Sequence, residues 1–285
     1  MAIRINKYLS EAGVTSRRGG DVVVEEGRVT IGGRVAKLGD VVEEGQKVTL
    51  NGKVVEPRTE KYYLLFNKPV GVITTTDPSA RDNIMEAVEA AGWPVKEKRV
   101  FPIGRLDVAS SGIILITNDS ELGERMLRKE GLNEKEYLVT VDQPVMTKHV
   151  AAWEKGVEIL DHQMTLPAKV RMLKDDHFSI TIVQGLNRQI RRMCEGFGYQ
   201  VLSLKRVRIM NLHLDKLLPG QYRELHPTEV AKLRAAVGLA TAPMHLPPGS
   251  DQGRHIYGPT TNQNAAAKAA KADVRPIIGR RITNR

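Results

Sequence analysis

Six glycines at 27, 32, 33, 39, 45 and 52 cut the early chain into very short Val-rich runs: Val29-Thr30-Ile31, Val41-Val42 and Val48-Thr49-Leu50. Runs of two or three residues, each bounded by a residue that turns freely, fold as strands joined by tight turns and are too short for helices. Ahead of them, Ile5, Tyr8, Leu9 and Ala12 recur at helical spacing until Gly13. That predicts a short first helix. A second helix is expected from Ser16, short or frayed, because Gly19 and Gly20 each cost roughly 1 kcal/mol relative to alanine in a helix interior. Residues 1–60 therefore read as a unit of two helices followed by a small sheet.

From residue 61 the pattern lengthens. Strand-like runs such as Tyr63-Leu64-Leu65-Phe66 and Gly112-Ile113-Ile114-Leu115-Ile116-Thr117 alternate with helical stretches at 83–91, 119–129, 147–155, 188–197 and 227–236. Residues 61–238 are expected to form a second domain in an α+β chain, built on a mixed, largely antiparallel sheet. Residues 239–285 are rich in Pro, Gly, Ala, Asn and Thr and poor in large apolar side chains, the composition of a disordered tail. Seven Lys and Arg against two Asp leave that tail at +5, half of the chain's net charge of +10.

Forty-three Lys and Arg against 33 Asp and Glu suit a partner that is a polyanion. No apolar run of about 18 residues occurs, and Met1-Ala2-Ile3-Arg4-Ile5-Asn6-Lys7 lacks the apolar segment of a secretion signal, so no membrane contact and a cytoplasmic setting are expected. One cysteine, Cys194, leaves no internal disulfide, and no histidine lies within fifteen residues of it to activate the thiol. A buried structural role is expected for it. The seven histidines lack the close spacing of metal ligands, so neither a metal nor another cofactor is expected.

Two groups of residues carry candidate chemistry. Arg4, Lys7, Arg17 and Arg18 cluster around the two early helices, where arginines and a helix start can grip phosphate. Further on, Gly104-Arg105-Leu106-Asp107-Val108-Ala109-Ser110-Ser111-Gly112 leads directly into an apolar strand. An aspartate in such a turn is placed on a rigid support, and a carboxylate needs no general base to act as a nucleophile. The next carboxylates, Asp119 and Glu121, lie beyond that strand, whereas a glycosidic hydrolase needs a second carboxylate about 5 to 10 Å away. Downstream, Arg188 and Arg191 are expected to share one helix face, with Arg192 beside Arg188.

Arg4-Ile5-Asn6-Lys7-Tyr8-Leu9, Gly13-Val14-Thr15-Ser16-Arg17-Arg18 and Gly27-Arg28-Val29-Thr30-Ile31-Gly32-Gly33 together resemble the S4 RNA-binding domain. Asn67-Lys68-Pro69-Val70-Gly71, Gly104-Arg105-Leu106-Asp107 with Ser110 and Gly112, Lys135-Glu136-Tyr137, and Gly185-Leu186-Asn187-Arg188-Gln189-Ile190-Arg191-Arg192-Met193 resemble, in order and spacing, the RsuA-type pseudouridine synthases. The resemblance spans residues 3 to about 226, with Ser110 where the family usually has Thr. It implies that Asp107 is the nucleophile, that Tyr137 stacks on the target uracil and helps remove its C5 proton, and that Arg191 pairs with Asp107. Arg105 would fill the space left by the flipped base. Arg188 and Arg192 would contact phosphate, and Ile209 would pack against the base or simply in the core.

The runs 191–199 and 208–211, with Arg81-Asp82-Asn83-Ile84, are most similar to the RluF branch of that family. By that resemblance the substrate is a hairpin of 23S ribosomal RNA, acted on by a monomer. The alternative is a non-catalytic RNA-binding factor for ribosome assembly that keeps the fold without the chemistry.

Overall fold

The structure is a computed structural model that describes residues 2–128, 133–240 and 255–259. The first unit runs β1 (Ile3–Arg4), α1 (Ile5–Glu11), α2 (Arg17–Glu25), β2 (Val29–Ile31), β3 (Arg34–Val35), β4 (Val41–Val42), β5 (Val48–Leu50) and β6 (Lys53–Val55). A four-stranded antiparallel sheet in the order β3-β2-β5-β6 packs its valines against Ile5 and Leu9 of α1 and Val24 of α2. The second helix is not frayed. Ser16 caps it by accepting from the Gly19 amide at 3.0 Å, and it runs nine residues. Gly20 is where the two helices touch: a Cβ there would lie 3.1 Å from the Cα of Asn6. The glycine costs helix propensity and allows the close crossing.

The second unit begins with β7 (Tyr63–Lys68), α3 (Ile84–Ala90), α4 (Val95–Lys98), β8 (Phe101–Ile103), β9 (Ser111–Thr117) and α5 (Ser120–Leu127). It continues with β10 (Lys135–Val141), α6 (Thr147–Lys155), β11 (Glu158–Ile159), β12 (Gln163–Met164), β13 (Lys169–Lys174) and β14 (His177–Ile182). It ends with α7 (Gln189–Glu195), β15 (Val201–Ile209), β16 (Leu212–His213), β17 (Tyr222–Glu224), α8 (Pro227–Ala236) and β18 (Ile256–Tyr257). The main sheet has the order β13-β14-β10-β15-β9-β7-β17-β18, with β8 also paired to β9 and β16 to β15. Only β15 and β9 run parallel; the other described pairs are antiparallel. The five helices expected in this region are all present, those at 147–155 and 227–236 with the same bounds.

β7 and β9 read as unbroken apolar runs because both faces of the sheet are covered there. Ile113 and Leu115 point down into a cluster with Leu122 and Met126 of α5 and Val230 and Leu233 of α8. Ile114 and Ile116 point up, beneath Ile84 and Val88 of α3. Further along the upper face, Tyr137 and Val139 of β10 lie under Trp153 of α6 and Ile190 and Met193 of α7. The upper face thus carries two separate helical covers, and the strands between them are where a site can open.

Of the segment read as a disordered tail, residues 255–259 are described and place β18 on the free edge of β17; the remainder beyond residue 240 lies outside the described residues. Among the described residues, no helix is long and apolar enough to cross a membrane.

Candidate active site

Strand register places a row of side chains across the upper face between the two covers. Tyr137 of β10 lies opposite Arg206 of β15, Arg206 opposite Gly112 of β9, and Gly112 opposite Lys68 of β7. The register of β10 on β15 skips one residue between Glu136 and Tyr137, leaving Val207 unpaired, a bulge that re-aims the side chains beside it. Gly112 is the tightest point of the row. Its φ is +110°, and a Cβ there would sit 2.1 Å from the carbonyl oxygen of Arg206. Only glycine lets β9 approach β15 this closely, and this explains the glycine at the end of the Asp107 motif.

Asp107 sits at the head of β9, half-buried, in a turn closed by the Ser110 amide donating to the Asp107 carbonyl at 3.0 Å. A second loop holds that turn from the side. The Thr74 hydroxyl donates to the Leu106 carbonyl at 2.8 Å, and the Gly71 amide donates to the Val108 carbonyl at 2.8 Å. Lys68 organises this loop in turn, its Nζ donating to the carbonyls of Pro69 and Val72 at 2.8 and 2.9 Å. The Asn67-Lys68-Pro69-Val70-Gly71 motif therefore builds the brace for the aspartate loop.

The electrostatics around Asp107 are cationic. Lys68 is fully buried, and burial lowers its ammonium to about 8; repulsion by Arg206 adds to the shift, while attraction to the Asp107 carboxylate opposes it. Burial likewise lowers the Lys135 ammonium to about 8, with Arg206 again adding to the shift. The Arg191 guanidinium is lowered by burial and by Arg188, and attraction to Asp107 works against both. The lysines are perturbed as buried cations generally are.

Arg191 does not form the direct ion pair expected from sequence. Its guanidinium donates to the carbonyls of Val201 and Ala109, both at 3.0 Å, so it is fixed two residues from Asp107 and acts on it through space. Three buried polar atoms around the turn, Arg191 Nε, Arg206 Nη2 and Ser110 Oγ, have no protein partner. Tyr137 is 8% exposed and shares a cluster with Leu106, the residue before Asp107.

The arginine spacing also changes. The helix α7 starts at Gln189, and Arg188 precedes it with left-handed backbone at φ 51°, so helical periodicity does not relate Arg188 to Arg191. Arg191 points inward. Arg188 is exposed and pairs with Glu195 at 3.6 Å, and Arg192 donates to Asn187 at 2.8 Å. Arg105 is exposed beside the turn. Ile209 is buried with Leu115 and Leu212 in the lower cluster, away from the row, which is the core reading. Cys194 is buried and its thiol is pushed up to about 12 by burial, as an inert structural cysteine requires.

In the first unit Arg4, Arg17 and Arg18 are exposed, and Lys7 lies 3.8 Å from Glu11 within α1. Glu124 of α5 feels both Lys7 and Arg17, and Glu11 accepts from Ser120 of α5 at 2.7 Å. The basic end of the first unit therefore abuts the second. Lys68 and Arg206 were not singled out from sequence, although a signal existed for Arg206: it shares the inward parity of Leu204 in β15.

Two family models match the chain: the RNA pseudouridylate synthase family over residues 62–196 and the S4 domain over residues 3–48. The chain is 45% identical over 234 residues to the dual-specificity RNA pseudouridine synthase RluF of Escherichia coli (strain K12), covering 81% of this chain and 78% of the relative. It is 36% identical to the ribosomal large subunit pseudouridine synthase B of Bacillus subtilis (strain 168), covering 81% and 96%. A crystal structure of a pseudouridylate synthase superposes with a TM-score of 0.60 at 29% identity, covering 81% of this chain and 99% of the other. With identity over four-fifths of its length and an aspartate at the head of the central strand, this chain belongs to the RNA pseudouridine synthase family.

Proposed function

We propose that the chain isomerises uridine to pseudouridine in a structured segment of 23S ribosomal RNA, with Asp107 as the nucleophile. The observation that carries this reading is a single carboxylate at the head of β9, faced by the cations of Lys68 and Arg191. The next carboxylates downstream are engaged elsewhere. Asp119 pairs with Arg234 and accepts from Tyr63, and Glu121 lies 3.8 Å from Arg234. They follow the far end of the seven-residue β9, roughly 20 Å from Asp107 at about 3.3 Å per residue. A hydrolase needs its two carboxylates within about 10 Å.

An isomerase needs only one. Attack by the Asp107 carboxylate breaks the bond between uracil N1 and ribose C1′. The freed ring turns, C5 bonds to C1′ and displaces the Asp107 carboxylate from it, and as C5 gives up its proton N1 gains one, so no water is consumed and the aspartate is regenerated. The uridine must leave its stack to reach the row. The Tyr137 ring would then lie against the extruded uracil and assist removal of the C5 proton, and Arg191 would hold the carboxylate in place. Arg105 would occupy the vacated stack. Exposed Arg188 and half-buried Arg192, with Arg4, Lys7, Arg17 and Arg18, supply phosphate contacts.

An RNA substrate is supported by the name of the RluF relative, and a ribosomal one by that of the large-subunit synthase B relative. We assign residues 1–60 to RNA binding, 61–238 to catalysis and 239–285 to a tail, and the protein to the cytoplasm as a monomer. The test is tritium release from 23S fragments labelled at uridine C5. Release is expected, because forming the carbon–carbon bond expels that hydrogen, whereas hydrolysis leaves it on uracil. Tight binding with no release from any ribosomal fragment would favour the non-catalytic assembly factor.

A further inference from the structure

Residues 56–62 join β6 of the first unit to β7 of the second, and Glu56-Pro57-Arg58-Thr59-Glu60-Lys61 has the composition of an exposed linker. Units joined this way move against each other by default. Here the linker is fastened along its length. The Arg58 amide donates to the Glu11 carbonyl at the end of α1 at 3.1 Å. The Arg58 side chain crosses Gly13, where a Cβ would lie 2.6 Å from its Nε, and its guanidinium donates to the Glu97 carbonyl of α4. Further along, Asn118 donates through Nδ2 to the Glu60 carbonyl at 3.0 Å and accepts from the Tyr62 amide at 2.9 Å, and the Thr117 hydroxyl donates to the Tyr62 carbonyl. The catalytic row uses none of these contacts.

Glu11 joins the two units a second time. Besides its carbonyl it offers its carboxylate, and the Ser120 hydroxyl donates to Oε1 at 2.7 Å from the first turn of α5. One turn on, the Glu124 carboxyl is held low first by its hydrogen bond from Arg128, and it also feels Lys7 and Arg17 of the first unit. Most of these attachments converge on one place in the second unit: Thr117 ends β9, Asn118 follows it and Ser120 opens α5. The other end of β9 is fed by the turn that holds Asp107. β9 is buried from Gly112 to Thr117, and its seven residues span about 20 Å at about 3.3 Å per residue. It is a stiff spacer between the first unit and the nucleophile.

We propose that this junction is a ruler: Glu11, Arg58, Asn118 and Ser120 are positioning residues that hold the first unit at a fixed distance from Asp107 and so select which uridine of a structured RNA reaches the carboxylate. The proposal rests on the chain being an RNA uridine isomerase. Phosphate contacts fix the register of a nucleic acid without reading its sequence. A grip on the RNA by Arg4, Arg17 and Arg18 therefore chooses a uridine only if the distance from that grip to Asp107 is constant. A free linker would offer Asp107 several neighbouring uridines, whereas a misplacement of about 1 Å at a reacting centre can already cost about a hundredfold in rate.

Two full-length double variants test the ruler on a 23S fragment that contains several uridines. Pseudouridine is mapped position by position, by primer extension after carbodiimide treatment, and the register of the bound RNA is read separately by hydroxyl-radical footprinting. Arg58→Ala with Ser120→Ala removes two side-chain ties and leaves Arg4, Lys7, Arg17 and Arg18 in place. Modification of the uridines flanking the preferred one should rise at least about fivefold relative to it, and the footprint should broaden. Turnover at the preferred uridine should stay within about twofold at saturating RNA, with the melting temperature retained. Arg58→Lys with Ser120→Thr keeps a donor at both places and should restore wild-type selectivity. An unchanged modification pattern and footprint in the alanine variant would overturn the ruler. Flanking modification undiminished in the conservative variant would overturn the part given to these two contacts. If the wild type formed no pseudouridine while its footprint still broadened in the alanine variant, the positioning role would stand and the isomerase reading would fall.

Discussion

At Asp107 the informative substitution is asparagine, which keeps the shape and removes both charge and nucleophilicity. Asp107→Asn is expected to lower tritium release by about a thousandfold or more. RNA affinity should stay within roughly tenfold, about 1.4 kcal/mol, because phosphate contacts elsewhere supply the binding. Wild-type release from the variant would remove Asp107 from the chemistry. Five residues on, inside β9, Gly112→Ala would drive a Cβ into the Arg206 backbone. It should lose several kcal/mol of stability, or the fold itself, by urea denaturation. At Lys68 the sign of the pH dependence is set by a folded value of about 8 against 10.5 unfolded. From about pH 8 upward the unfolded chain holds the proton that the folded chain has released, so stability rises with pH. Between pH 8 and 9 the rise should be about 1 kcal/mol for Lys68, with Lys135 adding to it. Above about pH 9 the thiol of Cys194, raised to about 12, works in the opposite direction. Urea midpoints at pH 8 and 9 should show the rise in the wild type and a smaller one in Lys68→Met.

Helix α2 shows how an element can contradict its own propensities. Gly19, Gly20 and three consecutive valines are poor helix formers, yet the helix is complete because Ser16 caps it and Gly20 seats it against α1. Its exposed start presents Arg17 and Arg18. Replacing both with Ala should make the salt dependence of RNA binding shallower by about 1 to 2 and leave turnover at saturating RNA unchanged. An unaltered slope would show that these arginines face no phosphate. Ser16→Ala should cost about 1 kcal/mol, seen as local loss of amide-exchange protection in α2. Helix α7 is the reverse case, since its existence was legible while its start was not. Arg188 adopts a left-handed backbone ahead of the helix, and the inward role of Arg191 follows from burial rather than from arginine spacing.

Across the whole molecule, β9 separates two charged ends. At one, Asp107 awaits a substrate; at the other, Asp119 is buried against Arg234 of α8 and Tyr63 of β7, locking that helix to the sheet. Asp119→Ala strands a buried arginine and should cost about 3 to 5 kcal/mol, measured by thermal or urea unfolding, while tritium release per folded molecule is retained. Loss of release without loss of stability would return Asp119 to the chemistry and revive the two-carboxylate hydrolase. The sequence by itself determined the order of the two units, the existence of every described α-helix except the short α4, the turn that carries Asp107 and the basic character of the chain. Those properties are local: period, turn residues, caps and charge are written in neighbouring positions. Only the tertiary structure decided that Lys68 and Arg206 flank Gly112, that the carbonyls of Val201 and Ala109 hold Arg191 near Asp107, and that β18 pairs with β17. Such contacts join residues as distant in the chain as Leu64 and Glu224. They depend on strand register and burial, which no window of sequence contains.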